Sequence, residues 1–245
     1  KDTDGSLSKE EIEAVTYIFV NGKGIRSLQG IEYFVNLQSL YADVNRIQTL
    51  DVSKNVNLIT LNVNNNELKS ITLPNQEENN TLVYLDVFAN RLTSLDVSNL
   101  HALTFLHADD NQLTHLDLSE NPLTQSHGFV AMNNYLESIT LPNNNVEYPW
   151  TTFLQTQLFP RDKSVGYKVV WYTNPEKTDV LDPVATPTIR CTGQTLYAQY
   201  VPITYTVEFQ SGGGTGTMEN QTFQYGTAQN LNANQFEKEH YVFGG

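Results

Sequence analysis

Internal repetition constrains this chain more than any other feature. The stretch Leu37-x-x-Leu40-x-Ala42-x-x-Asn45-x-Ile47 recurs as Leu58-x-x-Leu61-x-Val63-x-x-Asn66-x-Leu68, Leu82-x-x-Leu85-x-Val87-x-x-Asn90-x-Leu92 and Leu103-x-x-Leu106-x-Ala108-x-x-Asn111-x-Leu113. A weaker fifth copy is Ser126-x-x-Phe129-x-Ala131-x-x-Asn134-x-Leu136. The asparagines step by 21, 24, 21 and 23 residues, and insertions at 76–80 and around Gln125 explain the longer steps. Each copy is followed by a second apolar pair: Leu50 and Val52, Ile71 and Leu73, Leu95 and Val97, Leu116 and Leu118, Ile139 and Leu141. One such repeat cannot bury its own apolar side, so neighbouring copies must stack into a solenoid.

Each spacing has a mechanical reason. The Leu-x-[Leu/Val/Ala] pair reads as a short strand with both apolar side chains pointing into the coil. The asparagine turns the chain, and its amide is placed to satisfy buried backbone groups of the adjacent coil, each costing about 1–3 kcal/mol if left unpaired. The expected fold is mainly β: a five-coil solenoid over 21–145, preceded by a short helical cap over 1–20, with parallel strands and the amides of Asn45, Asn66, Asn90, Asn111 and Asn134 in one interior row.

The same phase assigns the side chains that line the concave strand face. They fall in three columns: Ser39, Thr60, Tyr84, Phe105 and Gly128; Tyr41, Asn62, Asp86, His107 and Val130; Asp43, Asn64, Phe88, Asp109 and Met132. The scaffold does not need these side chains. Tyr84, Phe88 and Phe105 are large, apolar and expected to be exposed, with Tyr41, Asp86, His107 and Asp109 around them. Aromatic anchors with a polar rim suit recognition of a protein or glycan, although strand faces favour aromatics in any case.

Composition limits the partners. The formal net charge is −13 over 245 residues, with −10 of it in 1–145. That sign repels phosphate backbones and anionic lipid, so no nucleic-acid partner is expected. No run approaches the ~20 apolar residues of a membrane span, and no direct insertion is expected. Cys191 is the single cysteine, which excludes an internal disulfide and a thiolate zinc site. The five histidines show no i, i+4 pair, and neither Ser126-His127 nor Cys191 has partners at a recognisable catalytic spacing. A non-enzymatic chain needing no cofactor is expected.

The start of the chain, Lys1-Asp2-Thr3-Asp4-Gly5-Ser6-Leu7-Ser8-Lys9-Glu10-Glu11, fits a calcium loop entered at its second position. Asp2, Asp4, Ser6 (through its carbonyl) and Glu11 would be ligands of a structural ion in the intact protein. This resembles one EF-hand or dockerin-type half. Ser8-Lys9-Glu10-Glu11 reads equally as a helix capping box.

Leu and Asn thin out after Asn143-Asn144-Asn145, where Thr, Tyr, Gly and Pro take over. Residues 203–245, with Ile203-Thr204-Tyr205-Thr206-Val207-Glu208-Phe209, the Gly212–Gly216 run, Phe223-x-Tyr225-Gly226 and Gly244-Gly245, resemble the first half of a Listeria–Bacteroides repeat, a small β-grasp module. Residues 146–202 resemble a divergent preceding copy, through Gly166–Glu176 and Thr195–Pro202. The glycine run lacks the Gly-Lys-[Ser/Thr] ending of a phosphate loop.

The repeats over 24–141 resemble those of internalin-like bacterial surface proteins. Gly24-Ile25-Arg26-Ser27-Leu28-Gln29-Gly30-Ile31 is similar to that group's opening repeat, and Leu50–Ser53, Leu95–Ser98 and Leu116–Ser119 to its Leu-Asp-[Val/Leu]-Ser variant. The resemblance implies an exported surface protein that binds a protein or glycan non-covalently on the concave face. The sequence has no initiator Met and no signal peptide, so both ends are expected to be cut from something longer, and a monomer is favoured. A stalk or spacer role, or an accessory role beside a hydrolase domain elsewhere, are the alternatives.

Overall fold

A computed structural model describes residues 7–75, 81–123, 128–149, 157, 166–182 and 188–240. The described strands are β1 (Tyr17–Phe19), β2 (Ser39–Tyr41), β3 (Thr49–Asp51), β4 (Thr60–Asn62), β5 (Ser70–Thr72), β6 (Tyr84–Asp86), β7 (Phe105–His107), β8 (His115–Asp117), β9 (Phe129–Val130), β10 (Ser138–Thr140), β11 (Asn143–Pro149), β12 (Tyr167–Tyr172), β13 (Thr188–Thr192), β14 (Thr195–Pro202), β15 (Thr204–Val207) and β16 (Gln221–Gln224). Helix is limited to α1 (Lys9–Glu13) and a 3₁₀ turn at Ile31–Tyr33. No helix among the described residues is long and apolar enough to cross a membrane. The chain divides into two compact units, 1–158 with 171–199 and 159–170 with 200–245.

The first unit is the mainly β solenoid that the repeat dictates. Its front sheet has six parallel strands in the order β1-β2-β4-β6-β7-β9. The leucines of the repeat form the core: Leu37, Leu40, Leu58, Leu61, Leu82, Leu85, Leu103 and Leu106 are all buried. Behind them β3 pairs with β5 and β8 with β10, also parallel.

The asparagines form the interior row. Asn66, Asn90, Asn111 and Asn134 each donate to a carbonyl of the preceding coil, at Ala42, Val63, Val87 and Ala108, over 3.0 Å. They accept in turn from Ile47, Leu68, Leu92 and Leu113 at 2.9–3.0 Å. Asn45 does the same toward Val20, Lys23 and Ile25. The residue before each of these asparagines is left-handed: Val44, Asn65, Ala89, Asp110 and Asn133 have φ of 51–55°.

Two segments that the sequence pattern placed outside the solenoid join it. Tyr17–Phe19, read as part of a helical cap, is the sheet's first strand, with Ile18 in register with Leu40. It is a degenerate coil, and Gly22 supplies the left-handed residue there with φ 63°. At the other end Gln157 extends the amide row. Its Nε2 donates to Ala131 and its Oε1 accepts from Leu136. An open coil end must be covered, and residues assigned by pattern to 146–202 do this. β14 pairs antiparallel with β10, Leu196 opposite Ile139. β11 pairs with β13. The Tyr148 ring meets Phe129 edge-on at 5.4 Å, and its hydroxyl donates to the Leu123 carbonyl.

In the second unit β15 and β16 form an antiparallel pair, Tyr205 opposite Phe223, with rings stacked at 5.5 Å. The glycine run serves close approach: a Cβ on Gly214 or Gly216 would lie 2.5 Å or 2.8 Å from the carbonyls of Glu237 and Gln235.

Candidate functional site on the outer face of the front sheet

The front sheet places the outward side chains in the expected columns. Ser39, Thr60, Tyr84 and Phe105 are in direct register, as are Tyr41, Asn62, Asp86, His107 and Val130. The third column is held by backbone bonds from Val44 to Asn64, Asn65 to Phe88, Ala89 to Asp109 and Asp110 to Met132. β1 adds one residue to each column: Tyr17, Phe19 and Asn21. Pattern reading missed these because no asparagine marks their coil. The available signal was Ile18-x-Val20, 22 residues before Leu40-x-Ala42.

The face carries two aromatic groups. Near one end Phe19 stacks on Tyr41 at 4.9 Å and Tyr17 on Phe19 at 6.5 Å. Tyr17 and Phe19 are 58% and 65% exposed. On the other side of β4, Tyr84 stacks on Phe105 at 4.5 Å, with planes 4° apart. Phe88 lies over the His107 ring at 4.8 Å. Tyr84, Phe88 and Phe105 are therefore half-buried rather than exposed, because neighbouring strands bring large rings ~4.8 Å apart and the rings cover one another.

A polar network runs beside the second group. His107 Nδ1 lies 3.5 Å from Asp86 Oδ1 and its Nε2 lies 3.4 Å from Asp109 Oδ2. Both carboxylates are buried, at 5% and 8% exposure. They are held by further donors: Asn64 Nδ2 and the Phe88 N–H to Asp86, and the Met132 N–H to Asp109. Burial opposes the imidazolium, but the bond to Asp109 and the charges of Asp86, Asp109 and Asp110 outweigh it. The His107 pKa is raised above its ordinary value. Burial, then the charges of Asp86 and Tyr41, raise the Tyr84 phenol. Asn21 donates to Asp43 at the sheet's β1 end. Among the described residues no group of three His, Cys, Asp or Glu side chains is placed to hold a metal ion.

Of the residues read as calcium ligands, Asp2, Asp4 and Ser6 lie outside the described residues. The Glu11 carboxylate accepts from the Ser8 N–H at 3.0 Å while Ser8 Oγ accepts from Glu11 N–H at 3.1 Å, which is the capping box. Burial pushes the Cys191 thiol up to about 12.

A family model described as Leucine Rich Repeat matches residues 112–131. The functional domain of InlJ from Listeria monocytogenes, described as including a cysteine ladder, is similar at 28% identity over 52% of this chain and 32% of its own, with a TM-score of 0.45. An internalin, InlF, from Listeria monocytogenes strain 4b F2365 is similar at 23% identity over 54% of this chain and 53% of its own, with a TM-score of 0.32. The chain thus spans about a third and about half of those two structures. No curated relative matches the sequence.

Proposed function

We propose that this chain is the recognition segment of an internalin-like bacterial surface protein, acting outside the cell. It binds a protein or glycan non-covalently on the outer face of the front sheet, and has no catalytic role of its own. One observation carries the reading. Tyr17, Phe19, Tyr41, Tyr84, Phe88 and Phe105 gather at outward positions, where the repeat imposes no residue type. Rigid aromatic anchors beside satisfied polar groups give contact area at small entropic cost. The internalin-like opening repeat and Leu-Asp-x-Ser turns support the surface setting.

A glycan array and a pull-down from host-cell surface proteins, run with wild type and a Tyr84/Phe88/Phe105 triple-alanine variant, test this. The expected result is ligand capture by wild type and its loss in a variant that keeps its far-ultraviolet circular dichroism. Capture by neither form overturns the reading in favour of a spacer.

A further inference from the structure

The two aromatic groups leave a gap of specific chemistry between them. Tyr41 has one ring face against Phe19 on β1, with planes 10° apart, and Tyr84 has one face against Phe105 on β7, with planes 4° apart. The strand order is β1-β2-β4-β6-β7. The other face of each tyrosine is therefore turned toward β4. That strand presents Thr60 and Asn62 outward, followed by Asn64, none of them large. β2 and β6 stand two strand spacings apart, about 9.6 Å, and the two tyrosines are offset by about 6.7 Å along the strands. The result is a diagonal notch with a π face on either side and a neutral polar floor.

Electrostatics select its occupant. Aromatic faces are the negative side of the ring quadrupole. Asp86 stands beside Asn62 in the middle column, and Asp43 lies two residues beyond Tyr41 on the same side of the chain. The eighteen outward positions from Tyr17 to Met132 hold three aspartates, no lysine or arginine, and one histidine, His107, which lies between Asp86 and Asp109 on the side of β6 away from β4. A phosphate, sulfate or carboxylate would be repelled here, whereas a cation within ~6 Å of a ring centroid is attracted to it.

We propose that the notch between Tyr41 and Tyr84 receives the cationic side chain, arginine or lysine, of a protein partner. The inference rests on the reading of this face as a docking surface and names the partner's chemistry. The planar guanidinium of arginine can stack on one tyrosine wall while its remaining N–H groups reach the amide floor and its charge stays within reach of the other ring.

Nuclear magnetic resonance titration of the intact chain tests it, with N-acetyl-arginine amide as probe and N-acetyl-citrulline amide as its uncharged isostere. The expected result is saturable shifts at the amides of Tyr41, Asn62 and Tyr84 with the arginine probe, and affinity about tenfold lower with the citrulline probe. Asn62→Lys sets the chain's own ammonium in the notch and should weaken arginine binding about tenfold or more. Tyr41→Ala should weaken it about fivefold, and carries the test if the lysine variant fails to fold. Equal affinity for the two probes, absence of shifts around β4, or undiminished binding by folded variants overturns the proposal. A protein or glycan captured on the face whose binding ignores Asn62→Lys would sink the notch while leaving the docking face in place. Arginine binding in the notch together with capture by neither form in the array and pull-down would do the reverse.

Discussion

The front and back of the solenoid use the same residue, asparagine, to different degree. In front, Asn66, Asn90, Asn111 and Asn134 donate to the coil before and accept from an N–H beyond the turn, so both ends of each amide are used. At the back Asn55 donates to Ile31 and Phe34, and Asn121 to Val97 and Leu100. Their Oδ1 atoms are buried without a partner. The front row is continuous through six strands, whereas the described back strands fall in two separate sheets, β3 with β5 in one and β8 with β10, which also pairs with β14, in the other. A fully satisfied buried amide ties neighbouring coils and fixes their register. A half-satisfied one supplies the donor that the turn needs and carries a desolvation cost on its oxygen.

That contrast can be broken by substitution. Asn90→Ala strands the Leu68 N–H in the core and leaves the Val63, Val87 and Phe88 carbonyls with one donor each, from Asn66, Asn111 and the Asn65 N–H, and should cost about 2–3 kcal/mol in urea unfolding. Asn121→Ala leaves the Val97 and Leu100 carbonyls their backbone donors, the Leu100 and Leu103 N–H groups, and removes an orphaned oxygen, so its cost should be about 1 kcal/mol. Equal losses at the two sites would mean that the front row is no better tied than the back.

The left-handed residue before each front asparagine offers a change of the opposite sign. Asn65, Asp110, Asn133 and Gly22 suit that conformation, but Val44 holds it at φ 55° with a β-branched side chain that is 57% exposed. Val44→Asn should raise stability by about 1 kcal/mol, because the strain is relieved and little packing is lost. A destabilised variant would show that the valine makes a contact worth more than its strain.

The front sheet was legible in the sequence because repetition multiplies a weak local signal. Leu40, Leu61, Leu85 and Leu106 lie in register as their spacing demands, and so do the outward columns. The first coil was not legible. Its position equivalent to Asn45 is Lys23, whose backbone N–H, not its side chain, serves Asn45 Oδ1. A coil with no predecessor has no carbonyl to receive an amide, so no asparagine marks it. Gln157 was hidden for the converse reason. One methylene longer than asparagine, it reaches Ala131 from a segment with no repeat pattern. The stacking that half-buries Tyr84 and Phe105 was also beyond reach, since column membership gives position but not ring orientation.

Proton binding separates front from back by the pH at which each loses support, and this is the smallest effect expected. In front, the raised His107 pKa means that the folded state holds its proton more tightly than the unfolded chain does. Its contribution is fully present below the unfolded value of about 6.5 and is lost as pH rises through the higher folded value. At the back, side-chain and backbone bonds from Ser53 and Ser98 hold the Asp51 and Asp96 carboxyls below the ordinary value. Their contribution is present above about 3.9 and disappears as pH falls through the lowered pKa. Urea midpoints of wild type and His107→Gln should therefore differ more at pH 6 than at pH 8. Those of wild type and Asp96→Ala should differ at pH 6 and converge toward pH 3. A His107→Gln gap that stays constant with pH would show that Asp86 and Asp109 position the ring without stabilising its charge, and the front-sheet network would then be a hydrogen-bonded scaffold indifferent to protonation.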